Sequence, residues 1–483
     1  MKTKILLGIL TGALISGCSF KPDMPTRHIE YRSGYEATNV SQMWWKSYND
    51  TQLNALIDSA LANNSDLMLA LNNIERARLN LGLSKLEYLP NIGISGSAMR
   101  QNNYANMPDS NSHASYAISA PLSYEIDFWG RVRNSVGASA AQYMGTKYDY
   151  ETAKNTITSA VASSYFALLS LKEQERILTK SLKSYEQTQN YRKKELEAGA
   201  INQITLSQAS AAVQNAKASL IAVQNQISQV QTSLAILAGK SYDGVVNPQI
   251  LTAAKLPNAP QIPSGVPSDV LLHRPDVAKA LEDLRASNFL VGVAKAGYFP
   301  TISLTGAFGY ASSDFDRLIS STTSSWSIGG SLVGPLLDFG RTKKRVDIAN
   351  VDQNSSFIAY DKALKTALGD VKDALTTLKN AKERKKAMSD LLSSQRKIYK
   401  DATELYNAGY SSHLEFLDAQ RNLLNTELAK VGADLEELEA SVNAYKALGG
   451  GFSISDEELK EILGADADTA PDMSAVPIDR IFR

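Results

Sequence analysis

The sequence predicts a mainly α-helical chain with a membrane β-barrel, built from a duplicated unit of two strands plus long coiled-coil helices. Three observations carry this: a repeat at a fixed offset, two long proline-free spans, and short segments of alternating polarity. Tyr88-Leu89-Pro90-Asn91-Ile92 returns 210 residues later as Tyr298-Phe299-Pro300-Thr301-Ile302, and Gly130-Arg131 returns as Gly340-Arg341. Ala198-Gly199 matches Ala408-Gly409, and Gly239 matches Gly449, at the same offset. Shared register at four sites marks an internal duplication.

The helices follow from proline placement and hydrophobic period. No proline falls between Pro121 and Pro248 or between Pro335 and Pro471, although the chain has 15. An interior proline costs a helix about 3 kcal/mol, so both spans permit very long helices. Leu206, Ala209, Val213, Ala216, Leu220, Val223, Ile227, Val230, Leu234 and Leu237 alternate spacings of three and four, a coiled-coil seam. Leu424, Leu428, Val431, Leu435, Leu438, Val442 and Tyr445 repeat the alternation. A helix over 130–198 would reach roughly 100 Å, and helices over 51–86 and 203–238 roughly 54 Å each, so two short helices end to end match one long one. Gly199 and Gly409 mark the lower turns, where glycine suits the left-handed residue that ends a helix.

The strands are read from alternation. Ile302, Leu304, Phe308 and Tyr310 alternate with Thr301, Ser303, Thr305, Ala307 and Gly309. Tyr116, Ile118, Leu122, Tyr124, Ile126 and Phe128 alternate with small or polar residues in the same way, over a length that suits a tilted membrane strand. Alternation alone also fits an ordinary sheet with one solvated face. Two strands per repeat give four per chain, too few to close around a lumen. Eight strands from two chains would be filled by side chains, whereas twelve from three leave a channel, so a homotrimer is the smallest conduit.

Composition narrows the function. The chain has 483 residues, and its 50 Lys plus Arg balance 50 Asp plus Glu, which argues against a nucleic-acid partner. Four scattered histidines and one cysteine give no zinc spacing and no disulfide framework, so neither metal nor cofactor is expected. Gly239-Lys240-Ser241 looks like the end of a phosphate-binding loop, but the glycine this motif needs five residues earlier is Leu234. No enzyme constellation is found. Lys2 and Lys4 precede an apolar run from Ile5 to Ile15, which reads as a signal peptide over 1–17. Later segments are too polar for a transmembrane helix, so a membrane crossing must use strands.

One charged pair stands apart. Glu415 and Asp418 are three residues apart, on one helix face just beyond Gly409. Threefold symmetry would gather six carboxylates round one axis, and rings of acids select cations and repel one another. The first repeat offers Ile204-Thr205-Leu206-Ser207-Gln208 there, without an acid. The other reading makes both acids surface charges near a helix start, where the dipole favours them.

Together these residues resemble the TolC-like outer-membrane factors, in the lipoprotein branch that serves tripartite efflux pumps for drugs or metals. The carriers are Ile15-Ser16-Gly17-Cys18, which resembles a lipobox; the Tyr88-Leu89-Pro90 and Tyr298-Phe299-Pro300 strand starts; Asp127-Phe128-Trp129-Gly130-Arg131 and Leu337-Asp338-Phe339-Gly340-Arg341; and the stretch 409–419. The resemblance implies acylation of Cys18 and an outer-membrane address in contact with lipid. It also implies a trimer with a twelve-strand barrel on a helical periplasmic tunnel, a periplasmic adaptor docking near Gly199 and Gly409, and a proton-driven inner-membrane pump. It places Glu415 and Asp418 on the family's acidic gate positions. Some relatives carry an arginine two residues after the turn glycine; Ser411 stands here.

The expected layout is a signal peptide over 1–17, a lipid-anchored segment over 18–50, repeat 1 over 51–246, a linker over 247–275, repeat 2 over 276–452 and an acidic tail over 453–483. Repeat 1 is expected to hold strands 91–104 and 114–128 and helices 51–86, 130–198 and 203–238. Repeat 2 is expected to hold strands 301–312 and 324–338 and helices 276–296, 340–407 and 411–448. The function these features imply is a passive gated duct exporting toxic compounds. An outlet for secreted proteins and a coiled-coil periplasmic scaffold without a pore are the alternatives.

Overall fold

The computed structural model describes residues 20–25, 41–102, 112–248, 255–262, 273–320 and 322–452. The leader, Cys18 and the tail over 453–483 lie outside these residues. In chain order the elements are α1 (Thr51–Asn63), α2 (Ser65–Leu86), β1 (Asn91–Ile92), β2 (Ser95–Asn102), β3 (Ser112–Ile126), α3 (Arg131–Glu197), α4 (Gln203–Leu237) and α5 (Tyr242–Val246). They continue with α6 (Pro275–Ala296), β4 (Thr301–Ser312), β5 (Ser324–Val333), α7 (Arg341–Asn407) and α8 (His413–Ala447).

The duplication is structural. α3 and α7 are 67 residues each, α4 and α8 are 35 each, and α2 and α6 are 22 each, every second copy starting 210 residues after the first. The helix ends repeat too. Gly199 and Gly409 take φ of 72° and 79°, and Gly239 and Gly449 take 63° and 91°. At each, the glycine N–H bonds three residues back and the next N–H bonds five back, the motif that satisfies the last free carbonyls of a helix.

The chain divides into two compact units. One draws on the described residues within Met1–His28, Asn72–Lys147 and Lys279–Lys362 and contains the sheet. Its strands are antiparallel, with β1 and β2 both on β3, β3 on β4 and β4 on β5. The central pair therefore joins the two repeats, with Ser123 opposite Thr305 and Tyr116 opposite Ser312. Phe308 faces Trp326 and Ile302 faces Leu332 on one surface, while Ser303 faces Ser331 and Ala307 faces Ser327 on the other. The apolar surface is bare: Trp326 is 77 % and Phe308 54 % exposed. Among the described residues both outer edges, β1–β2 and β5, lack a second partner strand.

The other unit draws on the described residues within Ile29–Leu71, Tyr148–Ala278 and Ala363–Arg483. Its core gathers Trp44, Leu53, Ile57, Val161, Phe166, Leu168, Val223, Leu234 and Val442. The α4 seam supplies buried Ala209, Val213, Ala216, Val223, Ile227 and Leu234, so the three-and-four spacing is the packed face. Trp44 stacks on Tyr445 at 5.1 Å, and the Tyr48 hydroxyl meets Ser441 Oγ at 2.5 Å. Buried Arg274 donates to Ala447 O at 3.2 Å and pairs with Asp370 at 3.0 Å, tying α7 to the end of α8.

Several expected boundaries change. The helix over 51–86 is broken at Asn64, whose Oδ1 accepts from Asp66 N–H at 2.9 Å and Leu67 N–H at 3.2 Å while its Nδ2 donates to Leu237 O at 2.9 Å. A residue that caps the next helix must leave helical geometry, and Asn64 is extended. The first strand splits into β1 and β2 because Gly93 lies opposite Pro121, which has no N–H to return; Gly93 donates to Pro121 O at 3.0 Å. Its last expected residues, 103 and 104, lie outside the described set. The strand over 324–338 ends at Val333, because Gly334-Pro335 cannot continue the ladder. The strand over 114–128 instead runs Ser112–Ile126, and Asp127 accepts from Val132 N–H and Arg133 N–H at 2.9 Å each to cap α3. A short 3-10 helix at Trp44–Tyr48 and α5 were not foreseen.

Removing the Asn64 cap should loosen the α1–α2 junction. We expect Asn64→Ala to cost about 1–2 kcal/mol locally, read as faster amide exchange at Asp66 and Leu67. Unchanged protection there would mean that the break is set elsewhere.

Candidate gate

The turn from α7 into α8 begins at Gly409, whose N–H donates to Tyr406 O at 3.0 Å; Tyr410 N–H donates to Leu405 O at 2.9 Å. A Cβ on Gly409 would meet nothing within 4 Å, so only the left-handed backbone demands glycine. Ser412 then caps α8, accepting from Glu415 N–H at 3.2 Å, while Ser412 N–H donates to Glu415 Oε2 at 2.9 Å. This reciprocal box satisfies two otherwise free donors. The first-repeat turn at Gly199 is capped by Asn202, which accepts from Thr205 N–H at 3.0 Å, and its first turn has no acid.

Both predicted acids are exposed, and both are engaged within their own chain. Glu415 also accepts from the Ser411 hydroxyl at 2.6 Å, and that bond, followed by the one from Ser412 N–H, holds its carboxyl below the usual range. Asp418 pairs with Arg421 and accepts from Asn422 Nδ2 at 3.1 Å. Ser411 thus supports the acid by a neutral hydrogen bond.

Beside the turn lies a cluster that sequence reasoning missed. Arg192, near the end of α3, has its side chain 4 % exposed. It pairs with Glu195, and its guanidinium carbon lies 5.0 Å from the Tyr406 ring centre and 5.4 Å from that of Tyr191. Tyr406 stacks on Phe416 at 5.2 Å, and the His413 ring lies 5.8 Å from Tyr406. Both His413 ring nitrogens and Arg192 Nε are buried without a hydrogen-bond partner among the described residues. Burial first, and the Arg192 charge second, push His413 down to about 4, with Glu195 opposing. The imidazole is therefore neutral at pH 7. Nearby, Gln420 Nε2 donates to Ser184 Oγ at 3.0 Å, a second link from α8 to α3. One sequence signal was available: Leu178, Leu182, Tyr185, Gln189 and Arg192 continue the three-and-four spacing, which puts a cation on an apolar seam.

The description "Outer membrane efflux protein" belongs to a family model that matches this chain twice, over residues 56–240 and 266–450. The chain belongs to that family. Both bounds of the second match lie 210 residues beyond the first, so the family unit is the repeat itself. The probable efflux pump outer membrane protein TtgC of Pseudomonas putida is 31 % identical, over 93 % of this chain and 96 % of TtgC. The cation efflux system protein CusC of Escherichia coli is 29 % identical, over 92 % of this chain and 98 % of CusC. The CmeC outer membrane channel of Campylobacter jejuni superposes with a TM-score of 0.87 at 29 % identity, covering 92 % of this chain and 98 % of CmeC. The protein is thus an outer-membrane efflux channel component, and its bare apolar sheet face belongs in the outer membrane. Among the described residues no helix is long and apolar enough to cross a membrane.

Cys18 lies outside the described residues, but the chain just after it is anchored. Phe20 stacks on Phe299 at 4.8 Å, Phe299 stacks on Trp129 at 4.4 Å, and Trp129 Nε1 donates to Pro300 O at 2.9 Å. Phe299-Pro300 and Trp129 belong to the motifs that open β4 and precede α3, so this efflux channel ties its N-terminal segment to the strand–helix junctions.

His413 gives the turn a pH dependence. Its pKa is depressed in the fold, so its stabilisation is complete above pH 6.5 and is lost as pH falls towards 4. Amide exchange around Tyr406 and Phe416 should quicken across that window, and His413→Phe should remove the dependence; equal pH profiles for the two proteins would contradict the assignment.

Proposed function

We propose that three copies close into one twelve-strand barrel continued by a helical tunnel, forming a passive duct that performs no chemistry. The observation that carries this is the antiparallel sheet in which β1 and β2 share one position beside β3, with a bare apolar face and two edges unpaired among the described residues, in a protein of the outer membrane. Lipid offers no hydrogen bonds to a sheet edge, so the edges must pair with other copies. A water-soluble scaffold would have no use for Trp326, Ile328 and Leu332 on one open face.

The layout read from the sequence supports the same duct. Cys18 carries the acyl anchor, and Gly199 and Gly409 mark the turns that receive a periplasmic adaptor, which couples the duct to an energised inner-membrane pump. The cargo is toxic compounds. TtgC proteins are named for toluene efflux in one Pseudomonas putida strain, and CusC for cation efflux. In this reading Glu415 and Asp418 of three chains form the acidic constriction, and Arg192 against Tyr406 and His413 is the intrachain latch that keeps each α7–α8 turn closed.

The gate can be tested by charge alone. Glutamine at 415 keeps the capping-box geometry, so Glu415→Gln with Asp418→Asn removes charge while sparing the helix start. In planar bilayers the double variant should conduct about twofold more than the parent or lose its cation response. Reconstituted trimers that never conduct would end the duct reading; conducting trimers indifferent to the double substitution would end the gate assignment alone.

A further inference from the structure

Helix α7 carries a feature that the duplication does not explain. Lys365, Lys372, Lys379, Lys386 and Lys400 follow a strict seven-residue period, with Ser393 at the remaining position, and all five lysines are exposed. Lys382 and Lys397 lie in the same sector of the helix. The row extends roughly 53 Å along the axis at 1.5 Å per residue. Its acids are Glu383, Asp390, Asp401 and Glu404, and Lys400 lies 3.9 Å from Glu404. Lys372, Lys379, Lys382, Lys386 and Lys397 make no ion pair among the described residues. The corresponding positions of α3 are Asn155, Ala162, Leu169, Arg176 and Asn190, and there Ala162 and Leu169 are buried in the core. Where the first copy packs Ala162 and Leu169 into the core, the second has exposed Lys372 and Lys379.

The direction of that row follows from the other faces of α7. Leu364, Ala367, Val371, Leu378 and Ala381 are buried against the rest of the chain. Leu391, Ile398 and Leu405 form a second apolar row at seven-residue spacing, and that row is exposed in the single chain. At about 100° per residue the two apolar directions are roughly 155° apart, and the lysines bisect the larger arc that remains. A helix in the wall of a closed ring touches a neighbour on each side, and the arc wider than a half-turn faces outward. On the tube reading proposed above, the lysines line the outside of the tunnel.

We propose that this lysine row is a docking surface for the anionic cell-wall polymer of the periplasm, recognised through its peptide carboxylates. Lysine supplies point charges on flexible stems, which suits carboxylates without fixed geometry, whereas protein interface cores are depleted in lysine and enriched in aromatic residues and arginine. No aromatic side chain lies in the lysine sector of α7 between 365 and 400. A charge row spread over that length suits a ligand that carries many carboxylates rather than one compact anion. The contact would hold the tunnel in the wall and leave its bore untouched.

The test is co-sedimentation of the full-length trimer in detergent with purified sacculi. Wild-type protein should pellet in low salt and be released as ionic strength rises, because exposed charges are screened. Changing Lys372, Lys379, Lys386 and Lys397 together to Gln should weaken binding about tenfold, as expected for loss of four exposed charge contacts, with conductance unchanged. Blocking the sacculus carboxylates by amidation should act in the same way. Wild-type protein that does not pellet, or a variant that pellets equally well, overturns the proposal. A variant that keeps sacculus binding but loses a periplasmic adaptor makes the row a protein interface and also overturns it. Because conductance is read separately, a failed duct reading and a failed wall contact are distinguishable.

Discussion

The structure turns on backbone hydrogen bonds that one chain cannot complete. β3 is paired on both sides, by β1–β2 and by β4, and β4 is likewise paired by β3 and β5, but the outer edges of β2 and β5 remain open. In water such edges could be solvated; in lipid each unpaired N–H and C=O costs several kcal/mol. The outer-membrane setting therefore makes the single chain an incomplete object. Its bare Trp326, Ile328 and Leu332 express the same demand in side chains, since they have lipid as their natural solvent.

The helical part solves a different problem, that of specifying register over very long elements. An apolar seam of alternating three and four spacing defines a face but not a unique alignment, because a slip by one heptad buries nearly the same surface. Polar groups in or beside the seam supply the marker. Asn64 bonds to the end of α4, Tyr48 to Ser441, Arg274 to the end of α8, and Arg192 lies against Tyr406 near the end of α7. The first three are well satisfied. The last is not: Arg192 Nε and both His413 nitrogens are buried without partners among the described residues, so the turn gives up stability there. A strained spot beside a turn proposed to open is consistent with a closed state held only marginally.

Much of this was legible because the sequence signals were periodic. The 210-residue offset placed α7 against α3 and α8 against α4, and the turn glycines followed from the left-handed backbone that ends a helix. What was not legible depended on single polar contacts between distant segments. The break at Asn64 arises because its amide reaches Leu237, 173 residues away, and the split of the first strand arises because Pro121 happens to lie opposite Gly93. Glu415 was visible as an acid beside a turn, but its engagement with Ser411 and Ser412 appeared only in the folded turn.

By itself, then, the sequence determined the repeat, the two longest helices and the alternating strands, since each is written in local spacing, while the membrane address came through the family resemblance. The tertiary structure decided that the two repeats meet through β3 and β4, that Arg192 lies buried against Tyr406 and His413, and that Lys372 and Lys379 of α7 are exposed where Ala162 and Leu169 of α3 enter the core. Those outcomes depend on which residues meet across hundreds of positions, and no local period encodes such a meeting.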